Sequence, residues 1–251
     1  MLLKNFNRRV LPFSFVIVLL VMVLAAAGSA HAMAGAYSSS AIYLDSLNIS
    51  LDAGMSMNLQ LQTVESSGYS VSPTDYQFGS ETSLTDSAYN FAATTALVDP
   101  STISQLSIVS ADGLGAYYAT AQSLIDSFFT VSGSGYLTIT ADYDLFLQVF
   151  TDFPSESASG MSRAALYFFN STTYADDADV QELIPAMPGN YFDARSGLLT
   201  ATVFFNDGNT GSFRFIVEGE ASASSVPEPS MLALLGIGLF GGALLRKRIK
   251  R

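Results

Sequence analysis

The chain has no cysteine and no tryptophan, and its single histidine, His31, stands near the N-terminus. Without cysteine there are no disulfides, no thiolate metal sites and no cysteine nucleophile. Cationic residues are almost as scarce away from the ends. Of 11 lysines and arginines, only Arg163, Arg195 and Arg214 lie between Arg9 and Arg246, and none of these is a lysine. All 22 acids fall in that interval, between Asp45 and Glu228, so three bases against 22 acids leave it with a net charge of −19. So acidic a body repels nucleic acid and anionic membrane surfaces, which excludes DNA and RNA as partners.

The N-terminus is built differently. Lys4, Arg8 and Arg9 open the chain, Val10 to Ala27 is almost wholly apolar, and Ala30-His31-Ala32 is a small-x-small site before Met33. Basic start, apolar run and small-residue site in that order make residues 1–32 a secretory signal peptide, a helix cut between Ala32 and Met33. The alternative is an uncleaved anchor, because the apolar run approaches spanning length. Cleavage removes His31, and with it every mechanism that needs a histidine base or ligand.

Between the ends, about 190 residues suffice for one sizeable domain. Residues 33–40 (MAGAYSSS) read as a flexible new N-terminus. Residues 41–51 and 55–64 alternate like strands, with Met55, Met57, Leu59 and Leu61 on one face. Residues 65–83 read as loop, and 84–98 are open between short helix and strand until Asp99-Pro100 stops them. A short strand is expected at 103–109 and a turn at Asp112-Gly113; 116–131 admits helix or strand.

The clearest strand is 136–150, where Leu137, Ile139, Ala141, Tyr143, Leu145, Leu147 and Val149 alternate with polar residues. Another is expected at 162–170, then a loop over 174–190. Residues 198–206 and 212–220 are expected to pair as a hairpin through Asp207-Gly208-Asn209, and 221–225 (ASASS) reads as a linker. The sum is an acidic all-β ectodomain over 33–220, an antiparallel β-sandwich of jelly-roll-like type.

After it comes VPEPSMLALLGIGLFGGALLRKRIKR, residues 226–251. Pro227 and Pro229 hold the first five residues extended. Met231 to Leu245 then forms a short transmembrane helix of about 22 Å, brief for a ~30 Å hydrocarbon core unless flanking residues snorkel. Arg246, Lys247, Arg248, Lys250 and Arg251 form a stop that favours a cytoplasmic C-terminus. The order Val226-Pro227-Glu228-Pro229-Ser230, apolar span, basic cluster resembles the PEP-CTERM sorting signal of Gram-negative bacteria. The resemblance covers only this tail, with Met231 where threonine is frequent in the family.

That resemblance implies passage through the Sec translocon, trimming by signal peptidase and transient anchoring in the inner membrane. Processing by the membrane transpeptidase exosortase follows, with delivery to the cell surface or extracellular matrix. It also implies association with exopolysaccharide and biofilm.

Carboxylates are the remaining candidates for chemistry. Asp142 and Asp144 share one strand face, and Asp176, Asp177 and Asp179 cluster with Glu182; either group has the residue type to bind Ca²⁺, though solvated surface acids explain both as well. Asn170-Ser171-Thr172 fits a glycosylation pattern, which in a bacterial chain is expected to be a chance match. No catalytic set and no cofactor is expected. The reading is a non-enzymatic exported surface or matrix protein; the alternatives are an extracellular glycan-acting enzyme using Asp and Glu, or a calcium-stabilised adhesin.

Overall fold

A computed structural model describes residues 33–87, 90–112, 115–152, 156–185 and 189–225. The expected signal peptide at 1–32, the expected transmembrane helix and sorting tail at 226–251, and Gly113 of the expected turn lie outside the described residues.

Twelve strands make up the described body: β1 (Met33–Leu51), β2 (Ser56–Val71), β3 (Tyr76–Gly79), β4 (Glu81–Ser87), β5 (Asn90–Val98), β6 (Thr102–Asp112), β7 (Gly115–Ser132), β8 (Gly135–Thr151), β9 (Ser157–Asn170), β10 (Asp176–Leu183), β11 (Tyr191–Phe205) and β12 (Thr210–Ser225). There is no helix among the described residues. The strands form two six-stranded sheets, ordered β11-β8-β1-β6-β5-β4 and β10-β9-β12-β7-β2-β3, with every pairing antiparallel. They pack face to face as a sandwich, as the one-sided alternation requires.

β8 follows its pattern throughout: Leu137 through Val149 bury every second residue. Other expectations are corrected. Residues 33–40 are not flexible. They are the first half of β1, paired with both β6 and β8 at the centre of the first sheet. Residues 221–225 are not a linker but the end of β12, with Ala221, Ala223 and Ser225 buried. The expected loops over 65–83 and 174–190 contain the second half of β2, β3, the start of β4 and all of β10. Of the open stretches, 84–87, 90–98 and 116–131 are strand.

A further correction concerns pairing. β11 and β12 do not form a hairpin. β11 pairs with β8 in the first sheet, and β12 with β7 and β9 in the second. The turn between them arches across the end of the sandwich. Asn209 N–H donates to the Asn206 carbonyl (3.0 Å), Gly208 takes φ 78°, and the arch is pinned by Val131 N–H donating to the Asn209 carbonyl (2.9 Å). Both strands bury large apolar residues on one face, so they meet across the core instead of edge to edge. In β2 a register shift between Leu59 and Leu61 breaks the expected shared face, and Leu59 is exposed.

The core has two characters. One part is aromatic and aliphatic, centred on Phe129, whose ring lies 5.5 Å from Phe205, 6.0 Å from Phe168 and 6.2 Å from Phe213. The other is a seam of small and polar side chains. Ser162 Oγ donates to the Ser39 carbonyl (2.6 Å), Ser107 Oγ to the Gly219 carbonyl (3.0 Å) and Ser123 Oγ to the Ser104 carbonyl (2.9 Å), each crossing from one sheet to the other. A serine hydroxyl sits one carbon from its own backbone. For it to reach the opposing main chain, the sheets must approach more closely than the usual spacing of about 10 Å. Gln105, 3% exposed, lies in this seam and donates to Ser40 Oγ (2.9 Å). Ser70, Thr82 and Thr94 form a second buried hydroxyl chain between the sheets. Every buried polar group needs such a partner, so the seam is stable only because its hydroxyls find carbonyls.

Candidate functional site

Residues two apart on a strand share a face, and registry sets which neighbours they meet. On the outer face of the second sheet this produces two adjacent rows. One runs Met161–Glu220–Thr120–Tyr69–Phe78 across β9, β12, β7, β2 and β3. The next runs Arg163–Glu218–Gln122–Ser67. Between them lies a cleft of about 370 Å³.

One wall is aromatic. Tyr69 and Phe78 have ring centroids 4.7 Å apart, with Tyr76 at 6.4 Å and Tyr118 at 6.5 Å from Tyr69. Tyr76 and Phe78 are 68% and 76% exposed on the four-residue edge strand β3. The floor is polar. Glu218 accepts from Gln122 Nε2 at Oε1 (2.5 Å) and from Arg163 Nη1 at Oε2 (2.8 Å). Both of its oxygens are therefore engaged. Arg163 Nη2 donates to the Tyr167 hydroxyl, while its buried Nε has no partner among the described residues. Burial holds the Tyr118 hydroxyl above the usual tyrosine range, and the Glu220 carboxylate beside it adds to the effect. Four residues along the same strands from Glu218 and Gln122, Arg214 grips Asp126 through two parallel bonds of 2.5 and 2.6 Å, a fork that fixes β12 against β7.

The acids singled out by sequence sit elsewhere. Asp142 and Asp144 are exposed on the outer face of the first sheet. There the Tyr43 hydroxyl donates to Asp144 (2.6 Å), a bond that raises the tyrosine pKa ahead of burial. Asp177 and Asp179 lie on β10, and each caps the outer edge of β11: Thr202 N–H donates to Asp177 Oδ2 (2.7 Å) and Thr200 N–H to Asp179 Oδ2 (2.9 Å). In an edge strand every second N–H points away from the sheet, and these two carboxylates satisfy an alternating pair. Asp176 is exposed at the start of β10. Among the described residues no three His, Cys, Asp or Glu side chains converge as a metal site. Asn170 is wholly buried, with Nδ2 donating to the Phe204 carbonyl (2.9 Å) and Oδ1 accepting from Thr172 N–H (3.0 Å), so its sequence pattern marks a turn cap.

Ala30, Ala32 and the sorting residues Val226–Ser230 and Arg246–Arg251 lie outside the described residues; Met33 is the first residue of β1. The cleft itself was hidden in the sequence, because Tyr69 and Phe78 stand in a stretch rich in Gly, Pro and Ser. The usable signal was the alternation Glu65, Ser67, Tyr69, Val71.

Residues 225–248 match the family model of the PEP-CTERM protein-sorting motif. No curated protein matches the chain. Among solved structures, a chain from the infectious bursal disease virus Gt strain aligns at a TM-score of 0.11 and 10% identity, over 80% of this chain and 67% of that one, a likeness too weak to carry an argument. The motif addresses the chain to exosortase, which makes it an exported protein that transits the membrane.

Proposed function

We propose, starting from the sorting motif at residues 225–248, that this is a non-enzymatic component of an exopolysaccharide matrix or cell surface. The chain enters the export route with residues 1–32, loses them to signal peptidase after Ala32, and is held in the inner membrane by the span before Arg246. Exosortase then releases the acidic sandwich from that tether. The observation that carries this reading is the motif match, placed at the end of a chain whose start has the order of a signal peptide.

Two features support a binding role over a catalytic one. The mature chain has no histidine, and Glu218, the carboxylate deepest in the network, has both oxygens occupied by Gln122 and Arg163. Glycoside hydrolysis by paired carboxylates needs one free acid and one free base or nucleophile. The acidic exterior suits a protein that must stay soluble among extracellular polymers.

Mass spectrometry of the protein from exosortase-containing cells tests the route. The expected product lacks residues 1–32 and the segment beyond the Pro227–Pro229 region. An intact C-terminus in those cells overturns the reading.

A further inference from the structure

The cleft on the outer face of the second sheet sets an aromatic wall beside a hydrogen-bonding floor. We infer that it binds an uncharged polysaccharide chain; this deepens the matrix role proposed above and rests on it. A pyranose ring has an apolar C–H face and a rim of hydroxyls. The Tyr69–Phe78 pair, held at 4.7 Å with its rings tilted 40°, offers a fixed surface for the first. Glu220, Thr120 and Gln122 offer acceptors and a donor for the second. These groups stand on four hydrogen-bonded strands, so little is left to order when a ligand arrives.

The charge of the cleft selects among glycans. Glu218 and Glu220 line it, and the nearest base, Arg163, is already committed to Glu218 at 2.8 Å. Among the described residues that line the cleft there is no lysine or arginine to meet a uronate, sulfate or phosphate group, and the surrounding body is itself strongly acidic. Acidic polymers are therefore rejected by like charge, whereas neutral hydroxyls can donate to the Glu220 carboxylate. The cavity, about 370 Å³, is at the small end of the ~300–1,000 Å³ typical of small-ligand sites, so it takes a short stretch of chain. The edge strand β3 is only four residues long, which leaves the remainder of the chain free to run past its ends.

Calorimetric titration of the full chain in detergent, at low salt, tests this. The probes are β- and α-linked gluco-oligosaccharides and a soluble galactomannan, with a polyuronate as the acidic comparison. Saturable binding of at least one neutral probe is expected, with the polyuronate at least tenfold weaker. Tyr69→Ala and Phe78→Ala are each expected to weaken the neutral ligand about tenfold or more. Phe78 is so exposed that its removal leaves the fold intact, which circular dichroism checks. Absence of saturable binding to every neutral probe overturns the inference. So does unchanged affinity in both variants, or a preference for the polyuronate. Failed binding by the full chain, with trimmed ends found by mass spectrometry in cells, removes this site alone; untrimmed ends in cells remove the sorting reading and leave the titration result standing.

Discussion

Gly219→Ala puts the close approach of the two sheets to a direct test. Gly219 faces inward on β12, and a Cβ there would stand 2.0 Å from Gln105 Nε2 and 2.3 Å from its Cδ. Ordinary contacts need roughly 3.5–4.0 Å, so the amide would have to move by well over an ångström. It has nowhere to go cheaply. Gln105 is buried, donates to Ser40 Oγ at 2.9 Å and to Ser38 Oγ at 3.4 Å, and accepts from Ser107 Oγ at 3.4 Å. Overpacking costs about 1–3 kcal/mol and an unpaired buried amide about 1–3 kcal/mol. The backbone gain of alanine over glycine returns only about 0.4–1 kcal/mol. The net expectation is a loss of about 2–4 kcal/mol. Urea unfolding followed by far-ultraviolet circular dichroism measures it as a lower midpoint at unchanged slope. Gln105→Ala removes the obstacle, so the double variant should be less destabilised than the two singles summed, by about 1–3 kcal/mol. A Gly219→Ala variant within about 0.5 kcal/mol of the parent, or strict additivity of the pair, refutes the close-packed seam.

Further outcomes follow from other contacts. Phe129→Ala empties the centre of the aromatic cluster and should cost about 3–5 kcal/mol, read from the same unfolding curves. Asp177→Ala and Asp179→Ala each expose one edge N–H of β11. Hydrogen exchange should accelerate at Thr202 and Thr200 respectively, with a stability loss near 1 kcal/mol each because the groups are partly solvated. Asp99 accepts from the Ser101 hydroxyl and from the Ser101 and Thr102 amides, all at 2.8 Å, and these bonds, led by that hydroxyl, hold its carboxyl below the usual range. A depressed folded pKa contributes stability above the unfolded value and loses it as pH falls through the folded one. Carboxyl-carbon NMR should find the Asp99 midpoint below that of an unfolded peptide, and a midpoint at or above it contradicts the turn.

Period-two alternation made β8 legible in detail, because large apolar residues alternate there with polar ones and hydration alone decides which face is buried. The same rule misled wherever the inner face is small. In β1 the inward residues are Ala34, Ala36, Ser38 and Ser40, and at the end of β12 they are Ala221, Ala223 and Ser225. In composition these segments resemble linkers. In place they are interior strands, since only small side chains fit where the sheets draw together. The candidate cleft was illegible for a related reason: Tyr69, Phe78, Gln122 and Glu220 come from four strands, and registry alone makes them neighbours.

What the sequence determined by itself is the class and the address. One-sided alternation specifies antiparallel sheets, and the ordered sorting tail marks export, because both signals lie within single continuous stretches. Partner choice among strands was decided only by the tertiary structure. β11 and β12 have the faces and the turn of a hairpin, yet they stand in opposite sheets. A strand's pattern says which side seeks the core; it does not say whether its neighbour in sequence lies beside it or across from it. That choice rests on how all twelve strands share one core, and with it came the rows of side chains that form the cleft.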